Sequence, residues 1–174
     1  MKRLGLVLVL AAIIATGTVF ADIRFYNHHD GFAFGAQFSG NFATNEFGLG
    51  AALSLKLPGV PVFWAVDYAF SDLYYGIGLS GDFYFIDTPL LRTLGLYWYF
   101  GAGLGGFVWL YDRDTEDNYL RGAVTGRVPV GVCWHLLSLF EVYLQVVPQA
   151  GVLIHDGTEF FWDAPVNLGV RIWL

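Results

Sequence analysis

Residue-by-residue alternation of apolar with small or polar side chains limits most strongly what this chain can fold into. Between 120 and 134 the even positions are Leu120, Gly122, Val124, Gly126, Val128, Val130, Val132 and Trp134, while the odd ones include Arg121, Thr125 and Arg127. Successive side chains of a strand point to opposite faces, so every charge of this stretch falls on one face and the other is apolar. The next stretch sets Phe140, Val142, Leu144, Val146, Val152 and Ile154 against Glu141, Tyr143, Gln145 and Gln149. The last sets Val166, Leu168, Val170, Ile172 and Leu174 against Asn167, Gly169 and Arg171. Earlier parts of the chain agree: Leu49, Ala51, Leu53, Leu55 and Leu57 oppose Gly48, Gly50, Ser54 and Lys56, and Val62, Trp64, Val66, Tyr68 and Phe70 oppose Asp67. Phe32, Phe34, Ala36 and Phe38 oppose Gln37 and Ser39.

Eight such stretches follow one another, at 31–41, 47–57, 61–70, 73–86, 95–111, 120–134, 139–154 and 164–174, each bounded by turn residues and none separated by a linker. The chain is 56% apolar and 18% aromatic with 22 glycines, yet beyond residue 21 it has no apolar run of the length a membrane-spanning helix needs. Its apolar content is therefore distributed over short strands. A soluble barrel turns its polar face to water, whereas here the apolar faces are broad and almost free of charge. The expectation is an all-β fold, an eight-stranded antiparallel up-and-down transmembrane β-barrel over 31–174. Its inner face is rich in Gly, Ala and Ser, as a narrow bore requires. Cys133 is the single cysteine, so no internal disulfide contributes and stability must come from closure of the sheet.

The N-terminal stretch reads as an export signal. Lys2 and Arg3 form a basic head, Leu4 to Ile14 an apolar middle, and Val19-Phe20-Ala21 a small-x-small end, predicting a signal peptide at 1–21 cleaved after Ala21. A short periplasmic segment, 22–30, would follow. Without residues 1–21 the chain keeps 9 − 2 = 7 basic residues against 15 acidic ones, a balance that argues against a nucleic-acid partner. Connections at 58–61, 87–94 and 135–138 would be periplasmic turns beside both termini. Those at 43–46, 71–72, 112–119 and 155–163 would be outer loops.

Parity assigns Lys56, Asp67, Asp82, Arg121, Arg127, Glu141 and Arg171 to the lumen. Charges held away from water are costly unless paired, so these are expected to form a network. Arg127, Glu141 and Arg171, on three consecutive strands, are its suggested centre. Trp64, Trp98 and Trp134 sit on the apolar face near the predicted periplasmic ends and would form an interfacial belt, with Phe42, Phe47, Phe70 and Tyr75 at the other end. Phe107 and Trp109 on the inner face would line the mouth of any conduit. Catalytic residue types occur as His155-Asp156 with Ser71, and as His135 with Ser138, but neither spacing is a known motif, so no enzyme is expected. His28-His29-Asp30 lie on an extended segment where adjacent side chains diverge. The run Asp112-Arg113-Asp114-Thr115-Glu116-Asp117-Asn118 lacks the glycine and closing glutamate of a calcium loop and reads as a solvated loop. No cofactor or metal is expected.

The glycine-rich aromatic strand from Tyr97 to Trp109, the segment Arg127-Val128-Pro129-Val130-Gly131 and the strand Glu141-Val142-Tyr143-Leu144-Gln145-Val146-Val147-Pro148 give the chain a resemblance to small outer-membrane barrels of the OmpA and OmpW type. In texture it is most similar to the barrels of spirochaete outer membranes. The ending Gly169-Val170-Arg171-Ile172-Trp173-Leu174 is similar to the terminal strand by which such barrels are recognised for assembly, except that Leu174 stands where Phe is usual. The resemblance implies outer-membrane residence, contact with outer-membrane lipid and the β-barrel assembly machinery, and a monomer. It also implies one of two roles. The first is a structural or surface-interaction barrel with a polar plugged lumen, meeting host molecules or nothing specific; the second is a narrow conduit for small hydrophobic solutes. A lipid-modifying barrel enzyme is a minor alternative.

Overall fold

A computed structural model of the chain describes residues 31–41, 48–70, 74–111, 119–136, 139–154 and 157–174. The signal peptide and N-terminal segment expected at 1–30, Phe42, Phe47, Ser71, Ser138, His155, Asp156 and the acidic run at 112–118 lie outside the described residues.

Eleven strand segments build eight barrel staves. They are β1 (Ala33–Asn41), β2 (Gly48–Lys56), β3 (Phe63–Phe70), β4 (Tyr74–Leu91), β5 (Leu96–Tyr111), β6 (Tyr119–Arg127), β7 (Val130–Leu136), β8 (Phe140–Val146), β9 (Gln149–Ile154), β10 (Thr158–Asp163) and β11 (Val166–Trp173). The pairs β6/β7, β8/β9 and β10/β11 are single staves, each interrupted at a proline: Pro129, Pro148 and Pro165. Their register runs through the interruption unchanged. Arg127 faces Gln149 and Val130 faces Val146, both pairs summing to 276. Proline lacks the N–H that one ladder bond needs, but its carbonyl still accepts. Accordingly Gly101 donates to Pro129 O, Val128 to Pro148 O and Val147 to Pro165 O, each at 2.9 Å.

All pairings are antiparallel between chain neighbours, and β1 closes the ring on β11. The register gives the size of the barrel. It runs from Ala33 through Lys56, Phe63, Asp82, Gly103, Arg127 and Gln149 to Asp163. Val166 is paired antiparallel with Gly40, so Asp163, three residues before it, falls at register position 40 + 3 = 43. One circuit thus climbs 43 − 33 = 10 residues. With a rise of about 3.3 Å per residue and a strand spacing of about 4.8 Å, eight staves with that shear tilt by roughly 40° and enclose a bore of roughly 8 Å radius to the backbone. Side chains of ordinary size can fill such a bore.

Outward positions carry an apolar band that runs round the barrel, with Phe38, Leu53 and Ile77 each more than 60% exposed and Val66, Leu104, Val124, Leu144, Val152 and Leu168 also bare. Inward positions hold the buried polar residues, among them Gln37, Ser54, Ser80, Thr125, Gln145 and Asn167. A closed barrel that is apolar outside and polar inside has the solvent order of a membrane protein, and water would not tolerate it. Leu144→Arg, near the middle of its stave, is therefore expected to destabilise the protein refolded in lipid vesicles by roughly 2–4 kcal/mol. An unchanged urea midpoint would show that this face does not meet lipid.

Three expected boundaries move. The segment 87–94, expected as a turn, continues β4 to Leu91 with bulges at 84/86 and 89/91, and only Arg92–Leu94 form the turn, a single 3₁₀ turn closed by left-handed Gly95. The bulges keep β4 paired to β5 past a proline, which the sequence pattern reads as a stop. The segment 155–163, expected as a loop, contains β10 from Thr158 onward, so the last stave extends well beyond Pro165. His135, expected in a turn, belongs to β7.

Candidate functional site

The lumen divides into two halves: a packed one at the end of the 3₁₀ turn, called the turn end, and a hollow one at the loop end. In the packed half Arg171, 3% exposed, carries most of the contacts. Its Nη1 donates to Glu141 Oε1 at 2.6 Å and its Nε to Ser54 Oγ at 2.9 Å, and its guanidinium lies 3.9 Å from the Tyr143 ring centroid and 4.6 Å from that of Phe63. Glu141 also accepts from Trp173 Nε1 at 2.8 Å. A planar cation with one counter-ion and aromatic rings against it is how a charge is held out of water at low cost. Around it pack Tyr84, Tyr99, Cys133 and Tyr143, with Phe63 stacked on Tyr84 and Tyr84 on Tyr99. Tyr143 donates to Gln37 Oε1 and Tyr99 to Gln145 Oε1. Lys56 is fully buried beside Phe63, and its ammonium donates to Leu57 O.

A second ion pair lies on the inner wall at mid-height, spanning Gly103. Arg127 Nε and Nη2 donate to Asp82 Oδ1 and Oδ2 at 3.0 and 3.1 Å, a two-pronged match between guanidinium and carboxylate. The suggested trio of Arg127, Glu141 and Arg171 does not form. Glu141 is level with His135 on the neighbouring stave, 135 − 127 = 8 residues from Arg127, or roughly 26 Å along the strand. Asp82, in contrast, shares the register level of Arg127 through Gly103. The charges are two separate pairs. Asp67 stands nearer the loop end and accepts from Ser80 Oγ, and Arg121 faces Trp109 further along.

Glycine shapes both halves. On the inner face four aromatic rings lie over a glycine on the next stave: Tyr99 on Gly131, Tyr143 on Gly169, Phe107 on Gly78 and Trp109 on Gly76. A Cβ at any of these glycines would come within about 2.3–2.6 Å of the ring it faces. Large rings therefore fit a narrow bore only because the facing residue has no side chain. In the loop half, Phe107 and Trp109 stack at 5.6 Å with 13° between planes and line a cavity of about 140 Å³. Asp67, Arg127, Gln149, Asp163 and Asn167 line it too. Asp163 is 8% exposed; sequence reasoning missed it because it lay in a supposed loop, although its parity with Asn167 and Arg171 was readable.

Trp64, Trp98 and Trp134 stand on the outward face near the turn end, and Trp134 donates to Leu94 O at 2.7 Å. Phe160 and Trp162 stand outward in β10, 70% and 63% exposed. Cys133, His135 and Glu141 also come together, with Cys133 Sγ 3.6 Å from His135 Nε2 and His135 Nδ1 3.9 Å from Glu141 Oε2. The order suggests a nucleophile, a base and an orienting acid, but both Glu141 oxygens are taken by Arg171 and Trp173 and the thiol is 5% exposed and does not line the cavity. It cannot receive a substrate in this geometry.

No protein-family model matches the chain, and no characterised protein matches it by sequence. Solved structures do match by fold. Neisserial surface protein A is 14% identical over 84% of this chain and 98% of its own, with a TM-score of 0.52. The N-terminal barrel domain of Pseudomonas aeruginosa OprF is 14% identical over 80% and 96%, with a TM-score of 0.47, and the attachment invasion locus protein Ail of Yersinia pestis is 11% identical over 83% and 97%, with 0.42. The first likeness bears on the type of barrel and not on source or activity. Together with the bare apolar band and the closed register, it establishes the chain as a small eight-stranded β-barrel of the outer-membrane kind.

Proposed function

We propose that this protein is a non-enzymatic outer-membrane barrel with a closed lumen, serving a structural or surface-interaction role. It would be inserted by the barrel-assembly machinery and stand as a monomer among outer-membrane lipids, loop end outward. The observation that carries the closed bore is the stack of side chains across its packed half, where Arg171 is bound to Glu141 and Ser54 and held between Tyr143 and Phe63. Opening a path there means separating buried opposite charges, which is strongly unfavourable without new partners.

A second reading, a narrow conduit for small hydrophobic solutes of the OmpW type, is favoured by Phe107 and Trp109 in the loop-half cavity. The mixed lining weighs against it, since Asp67, Asp163 and Asn167 share that cavity and a hydrophobic solute would strip water from them. Uptake of a fluorescent fatty-acid analogue into protein-containing vesicles separates the two. The closed barrel predicts uptake equal to that of empty vesicles. A saturable increase that Trp109→Leu alters would establish the conduit.

A further inference from the structure

The cavity in the loop half has a chemistry that the closed-bore reading leaves unused. One wall is aromatic: the stacked Phe107 and Trp109, which keep the centre of the bore open because Gly78 and Gly76 let them lie against the sheet. The rest is mainly small and apolar, but the polar side chains that share it are mostly hydrogen-bond acceptors. Asp67 and Asp163 supply carboxylates, and Asn167, only 2% exposed, lines the cavity with an Oδ1 that meets no donor. Gln149 Oε1 is in the same state, while its amide nitrogen donates to Asp163 at 3.4 Å. The guanidinium nearby belongs to Arg127, which is committed to Asp82 through two bonds.

Charge has the same sign. Among the described residues of this half, the inward positions hold four acids, Asp67, Asp82, Glu159 and Asp163, against two bases, Arg121 and Arg127. A buried acceptor without a donor is costly, and a negative, acceptor-rich pocket with an aromatic wall offers the most to a ligand that brings N–H donors, positive charge and a short apolar stem. A neutral hydrophobic solute answers only the aromatic wall, and an anion is repelled.

We propose that this cup binds a small alkylammonium or diamine. The ammonium is held by the oxygens of Asp67, Asp163 and Asn167, and the stem lies against Phe107 and Trp109. The site is a dead-end cup, so it is read by binding and not by flux, and its failure would leave the closed-bore reading untouched.

Calorimetric titration of the refolded full-length barrel in detergent micelles with 1,4-diaminobutane tests it, with 1,4-butanediol as the uncharged probe of equal stem length. The expected result is saturable one-to-one binding of the diamine, at least tenfold weaker for the diol. Trp109→Leu and Asp67→Asn are each expected to weaken diamine binding about tenfold, and Trp162→Leu, on the outward face, to leave it unchanged. Asp163 also accepts from the Ala164 N–H, so Asp163→Asn is read only in protein whose heat-resistant gel mobility shows it folded. Absence of saturation, equal affinity for diamine and diol, or diamine binding that Trp109→Leu and Asp67→Asn leave intact would each overturn the assignment. The last outcome would place the binding on acidic surface outside the cup.

Discussion

Replacing Glu141 by glutamine is expected to lower the stability of the refolded barrel by about 3 kcal/mol, among the largest effects of a single conservative change in this protein. The reason lies in what remains. Arg171 would keep its place between Tyr143 and Phe63 with no counter-ion and almost no access to water, and a cation so placed costs far more than the lost bond. Arg171→Met leaves the opposite problem, a buried carboxylate that keeps the Trp173 N–H and has His135 3.9 Å away but has lost its guanidinium, and is expected to cost as much. The double variant Glu141→Gln with Arg171→Met removes both charges, leaves groups that pack among aromatic rings, and is expected to recover most of the loss. Urea midpoints of the four proteins in the same micelles provide the test. Single variants with wild-type midpoints would show that the pair is hydrated and not buried.

Gly169→Val is expected to be equally severe for a steric reason. A Cβ at 169 would sit 2.4 Å from Cζ of Tyr143 and 2.5 Å from its hydroxyl oxygen. The ring has little room to yield, because its hydroxyl is bound to Gln37 and Arg171 covers its face. Overpacking and the broken hydrogen bond together are expected to cost about 3 kcal/mol. Tyr143→Ala in the same chain removes the clash and is expected to restore part of the stability. Gly157→Ala is the control, since a Cβ there meets nothing within 4 Å, and its midpoint should match wild type. If Gly169→Val also matches wild type, the ring-over-glycine pairing is not what lets the aromatics fit the bore.

The sequence was most legible where parity was cleanest. Residues 120–134 and 139–154 alternate so regularly that Pro129 and Pro148 do not hide the continuity of their staves, and the paired registers run through both. Pro165 hid more, because the polar, turn-like run 155–159 and Asp163 leave only Phe160-Phe161-Trp162 before it as a strand signal. The last stave was expected to begin at Ala164, and Asp163 was lost from the lumen with it. In β4 the bulges after Tyr84 and Pro89 shift the two-residue period, which no single-strand pattern reports. Charge pairing was legible only in part. Parity says which face a side chain takes, but its level in the bore depends on the register between staves. Arg127 consequently meets Asp82, distant in sequence, and not Glu141 two strands later in the order. The cup was out of reach for the same reason, since only the register between staves brings Asp67, Asp163 and Trp109 to one cavity.

Single-channel recording on the refolded protein in planar lipid bilayers tests the closed lumen most directly. With the packed half filled by Arg171, Glu141 and the aromatic rings around them, and with Arg127 bound to Asp82 above it, current at moderate voltage is expected to stay at the leak of the bare membrane, for wild type and for Glu141→Gln alike. Stable, unitary conductance steps from the wild-type protein would contradict it, because ions would then be crossing where the two pairs are said to stand.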